Sequence, residues 1–162
     1  MLGVLHGGSP QAAPLSEPGQ GAFAALSEIV ALLEADPATD WSGVDLDALR
    51  AHLVDMDLLA TRAEVRVVRL PDGLRATAAG DSATAAALGR MVPAHAAELA
   101  SGGSWTATGE ATADGAVLTV TSDDPATVAR IQGLGFFGLM ASQDHHRAHH
   151  FALATGGSPH GR

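Results

Sequence analysis

Histidine is the side chain in this sequence best placed to do chemistry. There are eight, and four of them fall in the run Asp144-His145-His146-Arg147-Ala148-His149-His150. The surrounding pattern reads as helix, where residues four apart are neighbours with Cβ atoms about 5–6 Å apart. His145 with His149 and His146 with His150 are such pairs, and His146 and His149 are three apart. Two imidazoles at this spacing can chelate one metal ion. The bland alternative is a solvated helix end, where His and Arg complement the dipole.

Phase along the helix favours the first reading. Counting about 100° per residue from Val128 puts Ile131, Leu139, His146, His149, His150 and Leu153 on one side. His145 and Arg147 fall off that side. Three histidines are thus expected to prolong a buried stripe. Two other predicted helices offer donors one turn apart: Met91 with His95, and His52 with Met56. His95 sits at the centre of the face Leu88, Met91, Val92, His95, Leu99. A lone histidine there is more often a core residue bonded to a backbone carbonyl. His52 lies at the edge of its stripe and is the weakest candidate of the three helices. Methionine is also a routine gap-filler.

The candidate ligand set is therefore His146, His149, His150 and His95, then His145, Met91, His52 and Met56. Imidazole suits copper, zinc and nickel, and thioether shifts the preference toward Cu(I). The chain has no cysteine, so no thiolate competes. Asp144 and Asp55 are the nearby carboxylates. Copper ranks first and zinc or nickel second. Haem ranks third, because Phe136-Phe137 is a thin aromatic wall and no C-x-x-C-H attachment is present. Asp144-His145-His146 spells a phosphoesterase metal motif, and His146-x-x-His149-His150 a desaturase histidine box. The other motifs those enzymes need are missing. No Gly-x-Ser-x-Gly elbow supports a hydrolase triad.

Composition narrows the classes further. The chain has 162 residues, 46% hydrophobic and 17% charged, which suits one folded domain. Nine Lys plus Arg against eighteen Asp plus Glu give a net charge of −9. That balance opposes binding to nucleic acid or anionic lipid. The longest apolar stretch, Ile131 to Ala141, carries three glycines and falls short of the ~20 residues of a membrane span. The N-terminus lacks a basic n-region, so a cytoplasmic location is the default expectation.

The elements that must position the histidines read as follows. Residues 1–20 are rich in Gly, Pro and Ser and are expected to form a flexible arm, and 155–162 a flexible tail. Between them, 21–154 is expected to be a single α+β domain. Phe23, Leu26, Val30 and Leu33 make the stripe of a helix over 22–35, ended by Asp36-Pro37. A second helix covers 44–60, with Ser42 and Asp45 resembling a capping box. Valine-rich 64–70, the turn Pro71-Asp72-Gly73 and 74–79 predict a hairpin. Asp81-Ser82 opens a helix over 83–100, which Pro93 is expected to kink or end. Residues 105–121 repeat the hairpin around Asp114-Gly115, and Asp123-Asp124-Pro125 opens one last helix over 125–153. The order α-α-ββα-ββα suggests an internal duplication and a four-stranded antiparallel sheet with helices on one face. Gly133, Gly135 and Gly138 are expected to admit a close neighbour.

The leading functional expectation is a small metal-binding protein for metal handling, sensing or storage. The alternative is a non-catalytic interaction domain, a homodimer with structural or pH-responsive histidines. A small metalloenzyme or haem-binding protein is third.

Overall fold

The computed structural model describes residues 21–142 and 146–156, with 146 and 147 described by backbone alone. The predicted arm 1–20, most of the predicted tail, Asp144 and His145 lie outside the described residues. Those described form α1 (Gly21–Ala35), a 3₁₀ turn (Trp41–Gly43), α2 (Leu46–Arg62), β1 (Glu64–Leu70), β2 (Gly73–Ala79), α3 (Ser82–Ser101), β3 (Thr106–Thr112), β4 (Gly115–Thr121), α4 (Pro125–Ala141) and α5 (His146–Ala154). None of these helices is long and apolar enough to cross a membrane.

The two hairpins join in one antiparallel sheet of order β1-β2-β4-β3. Its register carries the internal repeat. The same step of 42 residues leads from Glu64 to Thr106 and from Gly73 to Gly115, the first residues of matching strands. At the centre Gly73 pairs with Thr121 and Ala79 with Gly115, so the pairing maps onto itself under a local two-fold. Side chains alternate across the sheet. Leu74, Ala76 and Ala78 on β2 and Ala116, Leu118 and Val120 on β4 point into the core, while Arg75 and Thr77 face outward and are exposed. Ala76 pairs with Leu118, so small meets large where the two repeats join.

Two long helices, α3 and α4, lie on that inner face, but crosswise. α3 lies mainly over β3 and β4, and α4 mainly over β2 and β1. Each ββα unit therefore covers chiefly the other's strands, and neither closes a core alone. Gly109 makes the approach of α3 feasible. A Cβ there would stand 2.6 Å from the Val92 carbonyl oxygen and 2.8 Å from the Pro93 Cα. α3 runs unbroken through Pro93, so the proline does not end the helix. Asp81 caps α3 by accepting from the Thr84 N–H, and Asp124 caps α4 by accepting from the Thr127 N–H. Trp105 donates its indole N–H to the Leu99 carbonyl at 2.9 Å, with the Arg130 guanidinium 5.3 Å over its ring.

Three local expectations are corrected. The last helix is two: α4 ends at Ala141 with extended Ser142 behind it, and α5 begins at His146. Gly135 interrupts α4 itself, at φ 61° and ψ −167°. This glycine serves backbone conformation rather than close packing, because a Cβ there or at Gly133 would meet nothing within 4 Å. At the start of α2, Asp45 is itself the cap, accepting from the Ala48 N–H at 2.9 Å. Ser42 instead belongs to the preceding turn, donating its hydroxyl and backbone N–H to Asp40.

Two apolar clusters result. The sheet-side core gathers the inner strands with Leu88, Val92, Leu99, Ile131, Phe136 and Leu139. The second joins α1, α2 and α5 through Ile29, Leu33, Leu49, Leu53 and Ala154, with Met56, Phe151 and Leu153 packed against it.

Candidate functional site

α2 and α5 meet antiparallel. The Asp45 N–H, at the start of α2, donates to the Ala154 carbonyl, at the end of α5, at 2.7 Å. Leu49 and Leu53 hold α2 into the second cluster, and Ala154 holds α5. His52 belongs to the same side of α2, next to Leu53 and one turn from Leu49, so this docking carries it against the histidine helix.

The ring of His52 stands 4.5 Å from that of His149, tilted by 59°, and 5.4 Å from that of His150, nearly edge-on. His149 and His150 are 6.4 Å apart. His150 is 9% exposed, and the Nε2 atoms of His52 and His150 are both buried. These separations can be compared with chelation. A ring nitrogen about 2.0–2.1 Å from a metal places the ring centre about 3.2 Å from it, and two such rings at a tetrahedral angle then stand about 5 Å apart. Both contacts of His52 are close to that spacing, and His149 to His150 is wider. As they stand, no group of three or more His, Cys, Asp or Glu among the described residues is arranged to hold a metal ion.

The other candidates fall in different places. Met56, one turn beyond His52, packs against the same α1–α2–α5 cluster. His146 is the first residue of α5, one turn before His149 and His150. His145 lies outside the described residues. Met91 packs against the sheet-side core. His95 is buried and its Nε2 donates to the Leu139 carbonyl at 2.9 Å, the core role open to a lone histidine on that face. The same carbonyl accepts from the Ser142 N–H at 3.2 Å and the Ser142 hydroxyl at 2.8 Å. His95 thus secures the end of α4, where the chain departs toward α5.

Asp55, one of the two carboxylates expected to be available, is engaged by Arg90. The guanidinium donates twice, at 2.7 and 2.9 Å, bridging α2 and α3. The Asp55 hydrogen bond holds the Arg90 pKa above its usual value.

On sequence His52 is the weakest histidine of the three helices, yet it is the ring that His149 and His150 both approach. The reason is the break after Ala141. Phase carried from Val128 cannot cross extended Ser142 and the kink at Gly135, so the face assigned to His146, His149 and His150 had no valid origin. The signal was present in Ser142-Gln143-Asp144, a polar stretch with cap-forming residues in a pattern otherwise read as continuous helix.

A separate groove runs between α1 and α2, with a volume of about 420 Å³. Phe23, Leu26, Val30 and Leu46 line it, with Glu34 and Arg50 among its polar residues. Its lining holds no histidine.

Comparison with known proteins returns no match to this chain: no family model, no curated protein and no solved structure is similar enough to pair with it.

Proposed function

We propose that this protein binds a transition metal ion at the junction of α2 and α5, and that its role is metal handling, sensing or storage. The observation behind this reading is the convergence of three imidazoles from two helices far apart in sequence, with His52 4.5 Å and 5.4 Å from the other two rings. Each of these two α5 rings is near the spacing of a shared metal with His52, whereas His149 and His150, adjacent on one helix, are 6.4 Å apart. Met56 would add a thioether from one turn along α2. An imidazole-rich set favours copper, with zinc or nickel next, and thioether participation would favour Cu(I). Haem fits less well. Phe136 is buried in the sheet-side core with Phe137 against it at 5.3 Å, while the three histidines belong to α2 and α5.

The test is metal content and affinity. Protein purified without a histidine tag should contain copper or zinc by elemental analysis, and the stripped chain should bind one equivalent by titration calorimetry. Replacing His52 and His149 together by Ala should remove that binding. Equal, weak binding by wild type and double variant would reject the reading.

A second reading rests on a different observation. Phe23 is 71% exposed and Trp41 57% exposed, both at the helical end, and Phe23 borders the α1–α2 groove. Such surface suits an interaction domain, including a homodimer. Sedimentation of wild type and Phe23→Glu would test the homodimer: a dimer abolished by the substitution supports it, and a monomer at all concentrations rejects it.

A further inference from the structure

We infer that metal at this junction acts as a latch, holding α5 on α1 and α2, and that metal loss releases α5 and uncovers the apolar faces beneath it. The inference rests on the metal-binding reading and adds what binding would control.

α5 has nine residues. A helix that short is not stable alone in water, where about 12–15 residues are needed even for good helix formers. Its helicity therefore depends on what it packs against, which is α2 and α1. The packing is modest. Ala154 is the α5 side chain fully buried in the second cluster, and Phe151 and Leu153 are only half-buried against it. A small, partly exposed apolar contact gives a weak hold.

The two ends of the segment differ. Where α4 ends, the Leu139 carbonyl takes the His95 ring and both Ser142 donors, so the chain is fixed to the sheet-side core up to Ser142. At the far end the tie to α2 is the Asp45 N–H on the Ala154 carbonyl. Between them the histidines meet across the α2–α5 interface rather than within one helix. A metal shared by His52 and either His149 or His150 would add coordinate bonds between the two helices where apolar contact is thin. Ile29, Leu33, Leu49 and Leu53 form the rest of the buried cluster, and departure of α5 would uncover it.

The experiment is hydrogen–deuterium exchange on the full chain, read by mass spectrometry, with chelator and then with one equivalent of Cu(II), repeated with Zn(II). Calorimetry on the same samples reports binding separately. The latch requires α5 amides to exchange at least tenfold more slowly when loaded, with α3 and β4 unchanged. His52→Ala should reduce that difference below twofold, even if the α5 histidines still hold metal among themselves. His149→Gln provides a second variant if His52→Ala does not fold. Clear binding with equal α5 protection in both states would overturn the latch and leave the metal site standing. No binding by wild type would overturn both.

Discussion

The sheet-side core and the three-helix end are built on different terms. In the first, two crossed ββα units cover each other's strands, and the inner faces of β2 and β4 are fully buried. In the second, α1, α2 and α5 bury five apolar residues between them, leave Phe23 and Trp41 largely exposed, and place histidines where more apolar side chains would have given a firmer contact. The difference is one of how firmly each end is packed. A packed core tolerates little change, whereas a thin cluster with polar rings in its seam can respond to a ligand.

The largest expected effect breaks or confirms that asymmetry directly. Leu118 and Leu49 are both fully buried. Leu118→Ala, under two helices at the centre of the sheet, should cost about 4 kcal/mol, while Leu49→Ala should cost about 2 kcal/mol because the helical end can close around the loss. Urea melts measure both. Equal losses would mean the two clusters form one rigid core.

Next is the metal. His52→Ala should weaken Cu(II) or Zn(II) binding on the order of 100-fold, about 2.8 kcal/mol. His95→Ala should leave affinity nearly unchanged yet lower stability, since it removes the ring that holds the Leu139 carbonyl. Protons compete with metal for imidazole. Affinity should therefore fall as pH is lowered. A variant pair with the opposite pattern would move the site to α3.

Packing geometry supplies a smaller test on the sheet side. Gly109→Ala places a Cβ 2.6 Å from the Val92 carbonyl, so α3 must shift. Overpacking of this kind costs about 1–3 kcal/mol. Gly133→Ala, where a Cβ meets nothing within 4 Å, should be neutral or slightly stabilising. Thermal melts of the two variants should move apart.

The same asymmetry governs what could be read from sequence. Asp72-Gly73, Asp114-Gly115 and the alternating strands are local signals, and they placed both hairpins and the α+β class. Asp81 and Asp124 announced α3 and α4 because a cap acts within three residues. The site depended on non-local facts. The histidine helix lies antiparallel on α2, a packing outcome that no periodicity contains. His52, at the edge of its stripe, gains its importance only from that contact. Gly135 was legible as unusual, but the positive φ that explains it was not.

The smallest effect concerns the caps that begin the two crossed helices. Asp81 accepts from the Thr84 backbone N–H, and this bond leads in holding its carboxyl below the ordinary 3.8. For Asp124 the Thr127 hydroxyl leads, with the Thr127 N–H next. A carboxyl with a depressed folded pKa adds stability above its unfolded pKa, and that stability is lost as pH falls through the folded value. The window is thus acidic, from about 4 downward. Both groups are exposed, so solvent screens much of the effect. Asn caps a helix about as well as Asp without titrating. Asp124→Asn should therefore melt close to wild type at pH 7, then lose less than wild type as pH drops from 4 toward 2. Asp40, held low chiefly by the Ser42 hydroxyl, makes the same bond at the helical end, where Asp40→Asn provides the comparison. If the sheet side sets the global melt, Asp124→Asn should flatten the acid limb and Asp40→Asn should not. Parallel acid limbs for wild type and Asp124→Asn would show that this cap does not report on global unfolding. Equal flattening by both variants would show instead that the two ends unfold together.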